Sequence, residues 1–220
     1  MAKTAIIIGA SRGLGLGLAT ELTRRGWQVT ATQRTPSPDL AAVAGVTVET
    51  VDIDDPASVA ALAACAHGPF DLVFINAGIM GDRAATADTV SRDALTALMM
   101  TNAISPICTA RALRGAVKPG GTVAFMTSVL GSVALRTHGV AELYSASKAA
   151  LNSLTRGFAA VEASDLAVLS LHPGWVRTAM GGDGAAIDVA TSVAGLADLI
   201  ETETAPGHRY LDYTGKTLPW

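Results

Sequence analysis

Aromatic residues make up only 5% of this 220-residue chain, and it holds just two cysteines. A core with so few rings must be filled by Ala, Val, Ile and Leu, which suits helices layered on a sheet. Cys65 and Cys108 lack metal-ligand spacing, so the expectation is reduced thiols in a cytoplasmic protein rather than a disulfide framework. Long apolar runs are missing too. None reaches the ~18 residues that span a bilayer, so no membrane partner is expected. Gly9 and Arg12 cut the first apolar run, TAIII, too early for a signal peptide. Positive charge is scarce: 16 Lys and Arg against 19 Asp and Glu give a net charge of -3. Without a basic patch, nucleic acid is excluded as the natural partner. His67, His172 and His208 are scattered without ligand spacing, so no metal is expected. Met99 and Met100 read as core packing. No repeat, linker or low-complexity stretch divides residues 1–220, which read as one domain.

What the chain does have is alternation. Short β-branched runs at 4–8, 27–33, 46–52, 70–75, 121–128, 166–172 and 208–213 read as strands. Helical stretches at about 14–25, 56–66, 91–117, 142–160 and 188–201 lie between them, and 35–45 is too rich in proline for a long helix. The pattern predicts an α/β fold: a doubly wound, Rossmann-like parallel sheet of about seven strands with helices on both faces.

Two local patterns carry chemistry. The first is GASRGLG, residues 9–15, between the first strand and the first helix. Its glycines allow a tight turn and close approach of backbone to phosphate, and the helix N-terminus behind it offers free N–H groups. Its spacing is GxxxGxG, not the usual GxGxxG dinucleotide fingerprint. The second is Tyr144 and Lys148, four apart in an Ala-rich helix and therefore on one face. Alone, that pair reads as a surface contact with the Lys stem along the ring.

Together with NAG (76–78), Asn102, Ser128, YSASK (144–148) and PGWVRT (173–178), in that order, these patterns make the chain resemble the short-chain dehydrogenase/reductase family. RGLGLGLA, PGWVRTAMGG and the ending YLDYTGKTLPW resemble its C-factor and Sniffer-like carbonyl-reductase branch. The resemblance implies catalytic roles for Asn102, Ser128, Tyr144 and Lys148. Tyr144 would be general acid in ketone reduction and base in alcohol oxidation. An ordinary phenol, with a pKa of about 10, needs a nearby cation to serve as a base at neutral pH, and Lys148 is placed to be one. Lys148 would also bind the nicotinamide ribose, Ser128 the substrate oxygen, and Asn102 a relay water at a bend in its helix. Pro106 supports such a bend.

The same resemblance assigns a dinucleotide to the turn Gly9, Ser11, Arg12, Gly13, Leu14 and Gly15. Asp52 and Ile53 would meet the adenine, and Asn76, Ala77 and Gly78 the adenosine ribose. Pro173, Gly174, Val176 and Thr178 would wrap the nicotinamide. At the end of the second strand an acid would repel a 2′-phosphate, but Gln33 and then Arg34 stand there, with Arg12 nearby. Two arginines favour NADPH/NADP+ over NADH; Asp39, the nearest acid, lies past two prolines. Ile8 and Ile75 replace a Thr and an Asn that are usual in the family. Extra residues at 132–142 would border the substrate site, with Arg136 and His138 as candidate contacts and Ser132 as a rival to Ser128.

The expected function is NADPH-dependent reduction of a ketone or aldehyde. An NAD-linked alcohol dehydrogenase and a C-factor-like signalling protein that binds dinucleotide stay open. A homodimer or homotetramer through the helices around 91–115 and 145–163 is expected. The small residues after Thr178 suggest a short lid and a tolerant pocket.

Overall fold

The computed structural model describes residues 2–66 and 68–220; His67, read above as no metal ligand, lies outside them. Seven parallel strands form one sheet in the order β3-β2-β1-β4-β5-β6-β7. They are β1 (Thr4–Ile8), β2 (Gln28–Gln33), β3 (Val46–Thr50), β4 (Phe70–Ile75), β5 (Val117–Met126), β6 (Ala167–His172) and β7 (Gly207–Asp212). The helices are α1 (Gly13–Arg24), α2 (Pro38–Ala41), α3 (Pro56–Cys65), α4 (Arg92–Met99), α5 (Ser105–Leu113), α6 (Glu142–Val161) and α7 (Val189–Thr202). This is the doubly wound, Rossmann-like sheet that the alternation predicts.

Side chains alternate across each strand, so the sheet splits the core in two. Ala5, Ile7, Leu72, Phe74 and Leu169 pack under α1 and α7 with Leu18, Leu22, Leu196 and Ile200. Ile6, Ile8, Val73, Phe125 and Val168 pack on the opposite face with Leu62, Ile107, Leu151 and Phe158. Strand order reverses between β1 and β4, and the crevice beyond their C-terminal ends is where such a sheet binds ligands.

Three expectations need correction. Met100 is exposed on the helix surface and Met99 only half-buried, so the pair is not core packing. The stretch 91–117 is not one helix. A π-helical segment, Met100–Ile104, separates α4 from α5, and a 3-10 turn closes at Ala116. Pro106 has no N–H to give the carbonyl of Asn102, so the regular i+4 ladder fails there. The fifth strand starts earlier than Gly121, pairing Val117 with Phe70 through a register shift before Leu72. Gly120, at φ 70, lets the chain resume the ladder after the shift.

Candidate active site

The glycine turn forms because its positions exclude side chains. A Cβ on Gly9, at φ 87, would lie 2.9 Å from the backbone of Ala77, and one on Gly15 only 2.2 Å from the carbonyl oxygen of Gly9. Thr32 anchors the turn, its hydroxyl accepting from the Gly9 N–H and its carbonyl from the Ala10 N–H. This supplies the polar anchor that Ile8 cannot. Asn76 reaches back, with Nδ2 2.6 Å from the Gly9 carbonyl. No side chain caps α1, and its first turn holds no acid. Its leading N–H groups therefore face the turn unpaired by side chains, a cradle that suits a pyrophosphate.

Around this cradle the structure places several of the expected contacts. The Ser37 hydroxyl donates to the Ser11 carbonyl and the Ser37 N–H to Gln33, which ties the loop carrying Arg34 to the turn. Arg12 and Arg34 are exposed, and among the described residues neither has a carboxylate partner. Asp39 is exposed in the first turn of α2. Asp52 receives an N–H from Asp54 and is no helix cap; Asp55 caps α3, and Ile53 is buried. The segment 173–178 comes alongside the turn, the Thr178 methyl lying 3.7 Å from where a Cβ on Gly13 would be. The bridge between Val176 and Ile187 uses the Trp175 carbonyl and the Arg177 N–H, and not the Val176 N–H. Pro173 is fixed by Ser192 at 2.6 Å, and Gly174 adopts φ 84.

The four candidate catalytic residues converge beyond the ends of β4 and β5. Asn102, fully buried in the π segment, clasps Ile79: Oδ1 accepts its N–H at 2.7 Å and Nδ2 donates to its carbonyl at 2.8 Å. Nδ2 also donates to Ser147 at 3.0 Å. Lys148 is buried, with Nζ 3.0 Å from the Met126 carbonyl and 5.8 Å from the centre of the Tyr144 ring. Gly78 lies between Asn102 and Lys148. A Cβ there would stand 3.2 Å from Asn102 Oδ1 and 3.4 Å from Lys148 Nζ. The Ser128 carbonyl accepts from Tyr210 at 2.5 Å and from the Gly131 N–H at 2.8 Å.

Burial governs the titration. It pushes the Tyr144 phenol up to about 12, with Ser128 and the charge of Arg83 pulling the other way. It pushes Lys148 down to about 8. The expected lowering of Tyr144 by Lys148 is not found: Ser128 and Arg83 are the groups that lower it, and desolvation, which penalises both charged forms, wins.

Ser132 is turned away, its hydroxyl bonded to the Pro219 carbonyl at 2.7 Å. Arg136 contacts the Ser145 hydroxyl, and His138 is exposed. Sequence reasoning missed Ser147 and Tyr210. Ser147 lies within the quoted YSASK and could have been found by its helical spacing from Tyr144. Tyr210 meets Ser128 only through the β6–β7 pairing, which no local pattern announces. Among the described residues no three His, Cys, Asp or Glu gather as a metal site, and no helix is long and apolar enough to cross a membrane.

Comparison with known proteins gives the family. The family model for short chain dehydrogenase matches residues 3–186. The C-signal protein of Myxococcus xanthus is 35% identical over 158 residues, covering 70% of this chain and 94% of its own. A short-chain dehydrogenase/reductase from Burkholderia multivorans, crystallised with bound NADP, superposes with a TM-score of 0.97 at 40% identity over the whole of both chains. A carbonyl reductase from Pseudomonas aeruginosa PAO1 in complex with NADP gives 0.93 at 40% identity, again over both whole chains. The carbonyl reductase Sniffer of D. melanogaster gives 0.89 at 27%, with both chains fully covered. With two thirds of its length and more matched, and the turn and tyrosine helix in place, the chain belongs to the short-chain dehydrogenase family, on the C-factor and Sniffer-like side of it.

Proposed function

We propose that this chain, as a single domain, is an NADPH-dependent reductase of ketones or aldehydes with Tyr144 as its general acid. One observation carries the reading: Tyr144, Ser128 and Lys148 gather beside Gly78, whose neighbour Ala77 packs on the glycine turn ahead of the uncapped α1 terminus. The NADP-bound relatives from B. multivorans and P. aeruginosa support the choice of cofactor, as do the unpaired Arg12 and Arg34. When bound, NADPH supplies a hydride to the carbonyl carbon.

The chain's own residues do the rest. Ser128, its backbone held by Tyr210 and Gly131, offers its hydroxyl to the substrate oxygen. Tyr144, pushed up to about 12, keeps its proton at neutral pH and can deliver it to the oxygen as charge develops there. Lys148, at about 8, is mostly cationic at neutral pH and would stabilise the phenolate left behind. Asn102 holds Ile79 and, through Ser147, fixes α6 against the loop after β4. A protonated phenol suits reduction better than alcohol oxidation, which needs the base form.

The reading extends to a cytoplasmic homodimer or homotetramer. Leu95, Met100, Ile104 and Leu154 leave apolar surface exposed on the helices around 91–115 and 145–163. Light scattering should give two or four times the 22.4 kDa chain mass; a monomer would refute the assembly.

The test is cofactor consumption with a mixed panel of aldehydes, ketones and diketones, run with NADPH and NADH and repeated on Arg34→Asp. NADPH should be preferred by at least about tenfold, and Arg34→Asp should remove most of that preference. Equal use of NADH would favour the NAD-linked dehydrogenase reading. Tight NADPH binding with no turnover on any carbonyl would favour a dinucleotide-binding signalling role.

A further inference from the structure

Six of the twelve arginines of this chain have carboxylate partners among the described residues: Arg24, Arg25, Arg111, Arg114, Arg177 and Arg209 bridge Asp or Glu. Arg83 does not. It is exposed, and among the described residues its guanidinium bonds only the neutral carbonyl of Met180. That contact joins two loops across a shallow, open depression of about 540 Å³, lined by Met80–Arg83 and Ala179–Gly182. The first loop continues directly from Gly78 and Ile79, which Asn102 holds at the reaction centre. The second continues from Thr178. Both loops therefore lead directly from the candidate active site.

The lining is otherwise glycine, alanine and methionine, save for Asp82. The Asp82 carboxylate accepts the Ala84 N–H at 2.9 Å and makes no ion pair with Arg83. A guanidinium carries five donors in a planar fork that matches a carboxylate; among the described residues most of those donors have no protein acceptor. Its charge also reaches Tyr144, where it opposes the upward push of burial on the phenol. A group whose field reaches the phenol lies within reach of the far end of a substrate held there. Arg136, in the loop before α6, is turned to Ser145 instead.

We propose that Arg83 is a specificity-determining residue that receives a carboxylate, or an anion of similar charge, on the carbonyl substrate. The natural substrate class is then oxo-acids and carboxylated aldehydes, with the methionines covering the apolar part between the two ends. This rests on the reductase reading.

The test compares kcat/KM for 4-carboxybenzaldehyde and its neutral methyl ester, methyl 4-formylbenzoate, with NADPH. It is run on the wild type, Arg83→Gln and Arg83→Lys. The ratio is the readout, because any effect of Arg83 on Tyr144 acts on both substrates alike. The wild type should prefer the carboxylate, Arg83→Gln should cut the ratio by roughly tenfold, and Arg83→Lys should keep part of it. An unchanged ratio in Arg83→Gln, or a wild type that prefers the ester, would overturn the proposal. A loss of NADPH affinity in Arg83→Gln at constant ratio would do the same, placing the charge on the cofactor. If NADPH binds but neither these aldehydes nor any carbonyl of the panel reacts, the reductase reading fails by itself. Calorimetric binding of 4-carboxybenzyl alcohol and its methyl ester to the NADPH complex then decides on Arg83: loss of the acid's advantage in Arg83→Gln supports it, and equal binding refutes it.

Discussion

Lys148 shows what a reactive site costs a fold at the level of one residue. Its ammonium is buried, held by a single carbonyl, and pushed from its ordinary value of 10.5 to about 8. Below pH 8 both folded and unfolded chains carry the charge, and the folded one bears the full desolvation penalty. As pH rises from 8 toward 10.5, the folded state releases its proton first and the penalty fades. Lys148→Met should therefore abolish turnover yet stabilise the fold by about 2 kcal/mol at neutral pH, with the gain shrinking at higher pH. Urea denaturation across this range checks it; a gain that stays flat with pH would contradict the cause given. Residue by residue, the site is readable in the sequence where spacing is local: Tyr144 and Lys148 four apart, and the turn at 9–15. Thr32 and Tyr210 are not readable, because their partners Gly9 and Ser128 are brought to them only by strand pairing.

At the level of elements, the site depends on two irregular joints. The π segment turns Asn102 toward Ile79, and Pro106 made that break legible, although the length of undisturbed helix on either side was not. The other joint is the short turn after β5, Val129–Gly131, which packs on α6. A Cβ on Gly131 would lie 2.9 Å from the Lys148 carbonyl group and 3.0 Å from Asn152 Nδ2. Backbone cannot yield as a side-chain tip can. Gly131→Ala should destabilise by about 1–3 kcal/mol and lower kcat, since the turn carries Ser128 and the helix carries Lys148. Gly139→Ala, where a Cβ meets nothing within 4 Å, is the control and should leave both unchanged. Equal behaviour of the two variants in thermal melts would reject this account of the joint. Ala141 adds a third local irregularity: it enters α6 from φ 49, in the left-handed region. No spacing in the sequence marks it, because alanine is at home inside helices and rare in that conformation.

Across the whole molecule, the sheet was legible because its strands are buried on both faces and read as continuous apolar runs. Polar groups trapped between sheet and helices were less so. His172 and His208 are each pushed down to about 4 by burial, and the Nδ1 of each is buried without a partner among the described residues. Both are neutral when folded. As pH falls below the ordinary histidine value of 6.5, the unfolded chain takes up protons that the folded chain refuses, so stability declines toward pH 4. Each contributes up to about 3 kcal/mol of that loss. Denaturation midpoints measured from neutral to acid pH should show the decline, and His208→Gln should flatten it in part. A slope unchanged by the substitution would place the acid sensitivity elsewhere.

The central claim is that Tyr144 delivers the proton, and Tyr144→Phe tests it most directly. NADPH binding, followed by fluorescence, and reduction of the best panel carbonyl, followed by absorbance, should be measured on the same preparation. The account predicts binding within about twofold of the wild type and a kcat lowered by at least about a hundredfold. A Phe variant that binds NADPH normally and still reduces the carbonyl at the wild-type rate would contradict it.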